Sequence, residues 1–520
     1  MRWGEVIDEA RRRANWLTRT TVDGPPHLGL LLPNGIEYLT WLFACALAGW
    51  TVVGLNPTRR GEALARDVCS TDCQLLIADD ASLVLLDGLE LGLAPERVVP
   101  LVVAVSLAAT MPAEPLPLPS DDTLLLLLFT SGTTGHPKAV RCTQGRLAGI
   151  AEAVVPVYGF SAADVCYCPM PLFHGNALMA LVAPAVLVGA TIALPPRFST
   201  GGFLDDVRLF GATMFTYVGK AIAYLLTTEP SDDDRSTTLV RAFGTEASTA
   251  DRARFEERFG CVLVEGYGSS EGGVNIIATS DTPPGALGPA APGADVVVVD
   301  PETGIEMARA VFDDYGALRN GSDAIGEIVN RSGVGKFEGY YGAPEAETDR
   351  TRTGWYWTGD LGYRDMEGYF WFAGRGGDWL RVDSENLAAT PIEAVLSRYE
   401  PFAGVAVYAV ADPRGGTGDA VMAAVEMRNG AAFDAEDFVR WMALQADLGT
   451  KWPPTFVRVC ERLDETATGK ITKVRLRQEA WHCADPVWFR PSRTDAFTQL
   501  RKADAELLDS QVARASLPVR

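Results

Sequence analysis

Residues 130–138 read Thr-Ser-Gly-Thr-Thr-Gly-His-Pro-Lys, with four hydroxyls, two glycines and a lysine in nine positions. That composition can wrap an anion. Glycines let backbone N–H groups turn into a concavity, hydroxyls add donors, and the lysine adds charge. Thr130, Ser131, Gly132, Thr133, Thr134, Gly135 and Lys138 are therefore candidate ligands of a phosphate. The stretch is not a Walker loop, which needs Gly, four residues, then Gly-Lys-Ser/Thr entering a helix. Here Thr133 alone separates Gly132 from Thr134-Gly135, and Pro137 blocks helix continuation and biases His136 towards an extended conformation. A second polar, glycine-rich stretch, 265–273, reads Glu-Gly-Tyr-Gly-Ser-Ser-Glu-Gly-Gly. Tyr267 offers a flat ring for stacking, Ser270 a hydroxyl for a phosphate, and Glu271 a hard oxygen ligand suited to Mg2+. Gly268 and Ser269 lie between them, and Gly244, Thr245 and Glu246 form a shorter polar run upstream.

These residues need a scaffold, and the hydrophobic pattern supplies one. Residues 124–129 are an unbroken apolar run and 139–143 a second short strand, so the first loop joins two strands. Residues 240–243 and 262–264 are strands that deliver the 244–246 and 265–273 stretches. Towards the N-terminus, 4–17 reads as an amphipathic helix with Ile7, Ala10, Ala14 and Leu17 on one face and Arg11 to Arg13 solvated. Strands at 29–32, 51–55 and 74–78 alternate with helices at 36–48 and 59–70, which implies parallel α/β layers. Pro33-Asn34-Gly35 is a turn. The uncharged stretch 177–196 is interrupted by Pro184, Gly189, Pro195 and Pro196, and reads as a buried helix followed by a strand, not a membrane span. Residues 286–350 carry many glycines and short apolar runs, the pattern of a small antiparallel or barrel-like sheet. Gly376-Gly377-Asp378 reads as a hinge. Beyond it, helices at 392–397 and 437–446 and strands at 405–410, 421–427 and 455–459 make a smaller α+β domain.

A chain of 520 residues exceeds one hydrophobic core. The expected divisions are 1–375, 376–483 and a tail 484–520. The fold class is thus α/β: a large N-terminal domain of layered sheets with a small barrel-like part, then a small mobile α+β domain. The net charge of −21, from 46 basic and 67 acidic residues, argues against nucleic-acid binding and against charge-held attachment to anionic lipid. Any nucleotide site must therefore build its own positive field. Nine scattered cysteines and four histidines do not make a zinc pattern, and an odd cysteine count suits a reducing compartment. The N-terminus lacks the apolar run of a secretory signal. The expectation is a cytoplasmic protein.

The 130–138 and 265–273 stretches, with Thr358-Gly359-Asp360, Arg375 and Thr466-Ala-Thr-Gly-Lys470, occur in an order that resembles the acyl-adenylate-forming superfamily: acyl-CoA synthetases, peptide-synthetase adenylation domains and luciferases. Thr216-Tyr217-Val218-Gly219-Lys220 and the apolar helix after it resemble the very-long-chain acyl-CoA synthetase and fatty-acid transport protein branch, as does the tail over 485–508. The resemblance spans about residues 3–508 and has the chain begin late, just before Trp3-Gly4-Glu5. It implies ATP, Mg2+ and CoA as cofactors. Within it, 130–138 clamps the β- and γ-phosphates, and Tyr267 and the Gly244 strand end hold adenine. Asp360 and Arg375 hold the ribose, while Glu271 and Thr133 hold the metal. Lys470 bridges the carboxylate and the α-phosphate. His174, in Pro171-Leu-Phe-His, lies beside the acyl pocket, and with Lys470 and Glu271 completes the catalytic candidates.

In the same family the small domain then rotates, and 381–386 enters to shape the CoA tunnel, which brings in Arg381, Ser384 and Glu385. This chain reads Val-Asp-Ser-Glu-Asn at 382–386, where the branch usually carries Gly before Glu-Asn, so the thioester step is expected to differ. The resemblance implies a ligase for medium- to very-long-chain fatty acids. Rival readings are a fatty acyl-AMP ligase that loads an acyl carrier protein, a sterol side-chain or aromatic acid ligase, and a fatty-acid uptake protein with little turnover. Peripheral membrane contact is compatible with all of them. The insertion at 308–324 has no assigned chemistry, and the sequence does not state an oligomeric state.

Overall fold

A computed structural model describes residues 1–520 except 131–136, 246, 248, 314–317, 376–378, 383–384, 414–418, 429–430, 446–447, 449–451, 466–470, 493–494 and 516–520. At 220, 249–250, 375, 379, 381, 385–386, 502–503 and 513–515 only the backbone is described. The chain forms two compact units, one of 1–278 and 333–354 and the other of 279–332 and 355–520.

The first unit is built from two six-stranded sheets. The first sheet holds β1 (His27–Leu31), β2 (Thr51–Gly54), β3 (Leu75–Ala78), β4 (Val98–Pro100), β5 (Leu124–Thr130) and β6 (Lys138–Thr143), in the order β4-β3-β1-β2-β5-β6. All neighbours are parallel except β5 and β6, which pair antiparallel from Leu124↔Thr143 to Thr130↔Lys138. The second sheet holds β7 (Val165–Tyr167), β8 (Thr191–Ala193), β9 (Met214–Val218), β10 (Arg241–Thr245), β11 (Val262–Gly268) and β12 (Asn275–Ile277), in the order β12-β11-β10-β9-β7-β8. Only the β11–β12 pair is antiparallel. The inner strands are buried on both faces, which is why they read as continuous apolar runs instead of alternating ones.

The helix Trp3–Arg19 corrects one expectation. Its buried face is Val6, Ala10, Arg13, Ala14 and Leu17, while Ile7 is 42% exposed. Val6, Ala10, Arg13 and Leu17 follow the three- and four-residue spacing of one helical face, and Ile7 lies a further 100° round. Arg13 is not solvated: it is 3% exposed, ion-paired to Glu37 at 2.8 Å, with its guanidinium 5.0 Å over the Trp41 ring. A guanidinium on a long apolar stem suits such a site, where an ammonium would not. Residues 175–188 are helical, with a π turn at Leu178–Val182, and the strand Thr191–Ala193 follows as expected. No helix among the described residues is long and apolar enough to cross a membrane.

The second unit opens with a four-stranded antiparallel sheet: β13 (Val296–Val299), β14 (Gly326–Asn330), β15 (Tyr356–Arg364) and β16 (Phe370–Arg375). Part of the 308–324 segment is tied to this sheet. Ala310 bridges Asp365, and Phe312 packs on Trp371 with ring centroids 5.1 Å apart. A ribbon of β17 (Trp379–Val382) and β18 (Glu385–Ala388) follows. A five-stranded sheet then holds β19 (Phe402–Ala411), β20 (Asp419–Met427), β21 (Phe456–Cys460), β22 (Val487–Phe489) and β23 (Thr498–Gln499). The last two strands come from the segment read as a tail. Its helix Lys502–Ala515 buries Leu508 and accepts the Trp481 indole N–H on Asp509 at 3.1 Å.

Candidate active site

In the first unit the two ends of the candidate anion-binding loop are held by paired strands, as expected. β5 brings buried leucines to Thr130, β6 leaves from Lys138, and Thr130 faces Lys138 across the hairpin. The loop residues Ser131, Gly132, Thr133, Thr134 and Gly135 lie outside the described residues, and so do Glu246, Ser384 and Lys470. Lys138 lies with its Nζ 5.5 Å from the centre of the Tyr340 ring. Burial and the nearby Arg350 guanidinium hold its ammonium below the ordinary lysine range.

Glu271 is 5% exposed and accepts a hydrogen bond on Oε1 from the Tyr340 phenol at 2.9 Å. Its Oε2 makes no hydrogen bond among the described residues. A buried carboxylate with one oxygen held and the other available fits a hard divalent cation, which prefers carboxylate oxygen alongside phosphate. Burial, and then the Glu271 charge, pushes the Tyr340 phenol well above its ordinary pKa, so it stays a donor.

The 265–273 stretch runs off the end of β11. Tyr267 is half-buried and pairs with Ile276. Gly268 and Ser269 are exposed, and Ser270 is half-buried. The Arg146 guanidinium, itself buried, donates to the Ser270 carbonyl and, at 2.6 Å, to the Arg141 carbonyl of β6. It therefore ties the strand after the loop to the stretch that carries Glu271. Arg146 is held in turn by Thr143, which caps its helix and donates to the Glu338 carboxylate from both its N–H (2.8 Å) and its hydroxyl (2.7 Å). Gly244 and Thr245 end β10, beside Tyr217 and Val218 of β9 and Glu265 of β11. The carboxyl ends of parallel strands are where ligands bind in open α/β sheets.

His174 precedes the helical segment 175–188 and packs on Phe173, ring centroids 4.5 Å apart. Its loop is fixed by Asn34, which donates to the Met170 carbonyl and accepts from the Leu172 N–H, both at 2.9 Å. The neighbouring Gly175 admits Ser270, whose Oγ would lie 2.8 Å from a Cβ there. His174, Ser270 and Glu271 thus belong to one neighbourhood.

Asp360 belongs to the second unit. Thr358 anchors its strand by donating to the Ile328 carbonyl at 2.7 Å, and Gly359 N–H donates to Glu327 at 2.7 Å. Register places Asp360 directly opposite Arg375. Arg381 faces Asn386, and Glu385 faces Val382, in the β17–β18 ribbon. The stretch that holds Lys470 is flanked by an antiparallel bridge between Glu465 and Ile471.

Tyr340, Arg350, Arg146, Glu338 and Asn34 were not singled out for the site from the sequence. None sits in a run whose local composition points to a ligand; each reaches the site through pairing with a distant segment. The signal available was weak: Tyr340-Tyr341-Gly342 is a turn-like aromatic pair before the helix Pro344–Thr351.

Comparison with known proteins identifies the family. The model of the AMP-binding enzyme family matches residues 1–341, and that of the AMP-binding enzyme C-terminal domain matches 391–470. The chain is 51% identical over 492 residues to the steroid-22-oyl-CoA synthetase of Rhodococcus jostii, covering 94% of this chain and 88% of that protein. It is 44% identical over 467 residues to the medium/long-chain-fatty-acid–CoA ligase FadD17 of Mycobacterium tuberculosis, covering 89% and 88%. The ATP-bound crystal structure of MatB from Rhodopseudomonas palustris shares its fold, with a TM-score of 0.77, 23% identity and coverage of 92% of this chain and 93% of that one. The chain belongs to the AMP-binding enzymes, and it is an AMP-forming acid–thiol ligase that uses ATP, Mg2+ and CoA.

Proposed function

We propose that the acid activated by this ligase is a steroid carrying a short carboxylated side chain, with medium- and long-chain fatty acids as poorer substrates. The observation that carries this choice is the higher identity, 51% over 94% of the chain, to the steroid-22-oyl-CoA synthetase than to the fatty-acid ligases. The surroundings of His174 are apolar, which suits an apolar acyl group. The segment after His174 winds as a π turn, Leu178–Val182, and packs with Met170, Val218 and Phe243 in one apolar cluster. A π turn inserts a residue into a helix and is enriched at functional sites.

A carboxylate is a poor acyl donor because its leaving group would be oxide. In the proposed sequence, a carboxylate oxygen attacks the α-phosphorus of ATP, the bond to the β-phosphate breaks, and pyrophosphate leaves. The thiol sulfur of CoA then attacks the acyl carbon, the thioester forms, and AMP and a proton leave. Both steps depend mainly on positioning and charge. Residues 130–138 clamp the departing phosphates, Tyr267, Gly244 and Thr245 hold adenine, and Asp360 and Arg375 hold the ribose. Glu271 and Thr133 would hold Mg2+, which when bound neutralises phosphate charge. Lys470 serves the reacting centre, His174 borders the acyl group, and 381–386 lines the path of CoA. We place these steps in the cytoplasm, in keeping with the cysteine usage.

The test is pyrophosphate release over a panel of acids, with and without CoA. A steroid-22-oate is expected to exceed octanoate, palmitate and benzoate in kcat/KM by about ten-fold or more, since each methylene of fit is worth roughly ten-fold or better. Turnover should require CoA. A preference for palmitate would move the reading to fatty acids, and turnover with a holo carrier protein but not CoA would overturn the acceptor. A separate result bears on Ser384, where glycine would let the thiol arm approach the backbone more closely. Ser384→Gly is expected to speed thioester formation without altering adenylation, and equal single-turnover rates with CoA would refute this.

A further inference from the structure

Tyr340 lies outside the recognised motif runs, yet three functional groups converge on it. Its hydroxyl donates to Glu271 Oε1 at 2.9 Å and accepts from Arg350 Nε at 3.3 Å. Its ring lies 5.5 Å below the ammonium of Lys138. It is 4% exposed, it bridges Val140 of β6, and it packs edge-on against Phe337 with centroids 5.0 Å apart. A phenol has one hydrogen to give, and here it is committed to the carboxylate because Arg350 can only donate. Donation from a cation to the phenol oxygen polarises the O–H and strengthens the bond it makes onward. The result is a chain from Arg350 through Tyr340 to Glu271, with Lys138 placed over the same ring.

We infer that Tyr340 is the positioning residue for the metal ligand Glu271, and that it couples the metal site to the lysine of the phosphate loop. The phenol holds one carboxylate oxygen so that the other faces the cation in a single orientation. This rests on the proposed role of Glu271. Groups that orient a ligand in this way are typically worth about 10–100-fold in metal affinity. A purely structural tyrosine would affect the melting temperature and leave metal affinity alone.

The experiment is a Mn2+ titration of the full chain with bound ATP, read by electron paramagnetic resonance, alongside the Mg2+ dependence of pyrophosphate release. Tyr340→Phe keeps the ring and removes only the hydroxyl. It is expected to weaken Mn2+ binding about ten-fold and to raise the Mg2+ concentration for half-maximal rate to match. Unaltered Mn2+ affinity in a folded Tyr340→Phe protein overturns the inference. Arg350→Lys, which retains the charge but not the Nε–H geometry, is read in the same titration should Tyr340→Phe fail to fold, and unaltered affinity there overturns it equally. Glu271→Gln is the separate control: if it leaves Mn2+ binding intact, the metal assignment itself fails, whatever Tyr340 does.

Discussion

Lys470→Ala is expected to cut acyl-AMP formation by about 10²–10³-fold, the usual loss when one preorganised charge is removed from a reacting centre. The physical reason begins with the charge balance. The chain carries a net −21, and both reactants, a carboxylate and a nucleoside triphosphate, are anions. Their approach needs a cation at the point where the new bond forms. Lys138 is less suited to that role. It sits at the foot of the β5–β6 hairpin, over the Tyr340 ring, beside the segment proposed to hold the departing phosphates. Lys470 belongs to the small C-terminal domain, at the end of the stretch matched by that domain's family model. The measurement is pyrophosphate release, paired with thioester formation from synthetic acyl-AMP and CoA. The variant should lose the first and keep most of the second, with ATP binding retained. Near-normal pyrophosphate release would remove Lys470 from the mechanism.

Gly244→Ala is expected to be nearly as damaging, for a different reason. Gly244 pairs with Tyr217 in β9 and Glu265 in β11. A Cβ at this position would overlap the Tyr217 carbonyl oxygen and lie 2.7 Å from its ring. Both obstacles belong to a fully buried strand and cannot swing aside. The strands must part, which disturbs the 2.6 Å hydrogen bond from the Tyr217 hydroxyl to Glu265 and the strand ends proposed to hold adenine. Overpacking of this kind costs about 3 kcal/mol. In a unit of about 300 residues that lowers the melting temperature by roughly 5 °C. KM for ATP should rise with it. A melting temperature within about 2 °C of the parent's would show that the strand pair yields and would defeat the prediction.

Legibility differed between kinds of feature. The β5–loop–β6 unit was readable because an uninterrupted apolar strand, a glycine- and hydroxyl-rich loop and a short second strand are contiguous in the chain. The same holds for the helix Ile36–Ala48, recovered at both ends, because a glycine precedes it and a left-handed Gly49 stops it. Arg13 was misread because a charged side chain on a helix is normally solvated, and only the apposed Glu37 and Trp41 make its burial tolerable. The last strands, β22 and β23, were hidden for a related reason. They are three and two residues long, too short for a periodic signal, and exist because β21 offers β22 an edge and β22 in turn offers one to β23.

The sequence by itself determined which residues are candidates for chemistry and the chain order of the strands that flank them. Those properties reside in side-chain type and in hydrophobic runs of neighbouring residues. Tertiary structure alone decided what stands behind the candidates. Tyr340 reaches Glu271 across 69 positions, and Arg146 reaches the Ser270 carbonyl across 124. A hydrogen bond to a buried carboxylate or carbonyl is dictated by the need to satisfy that group where water cannot. The donor that meets the need is the one packing brings near, and its address in the chain is set by strand pairing: Val140 with Tyr340, and β6 with the segment that follows Gly339.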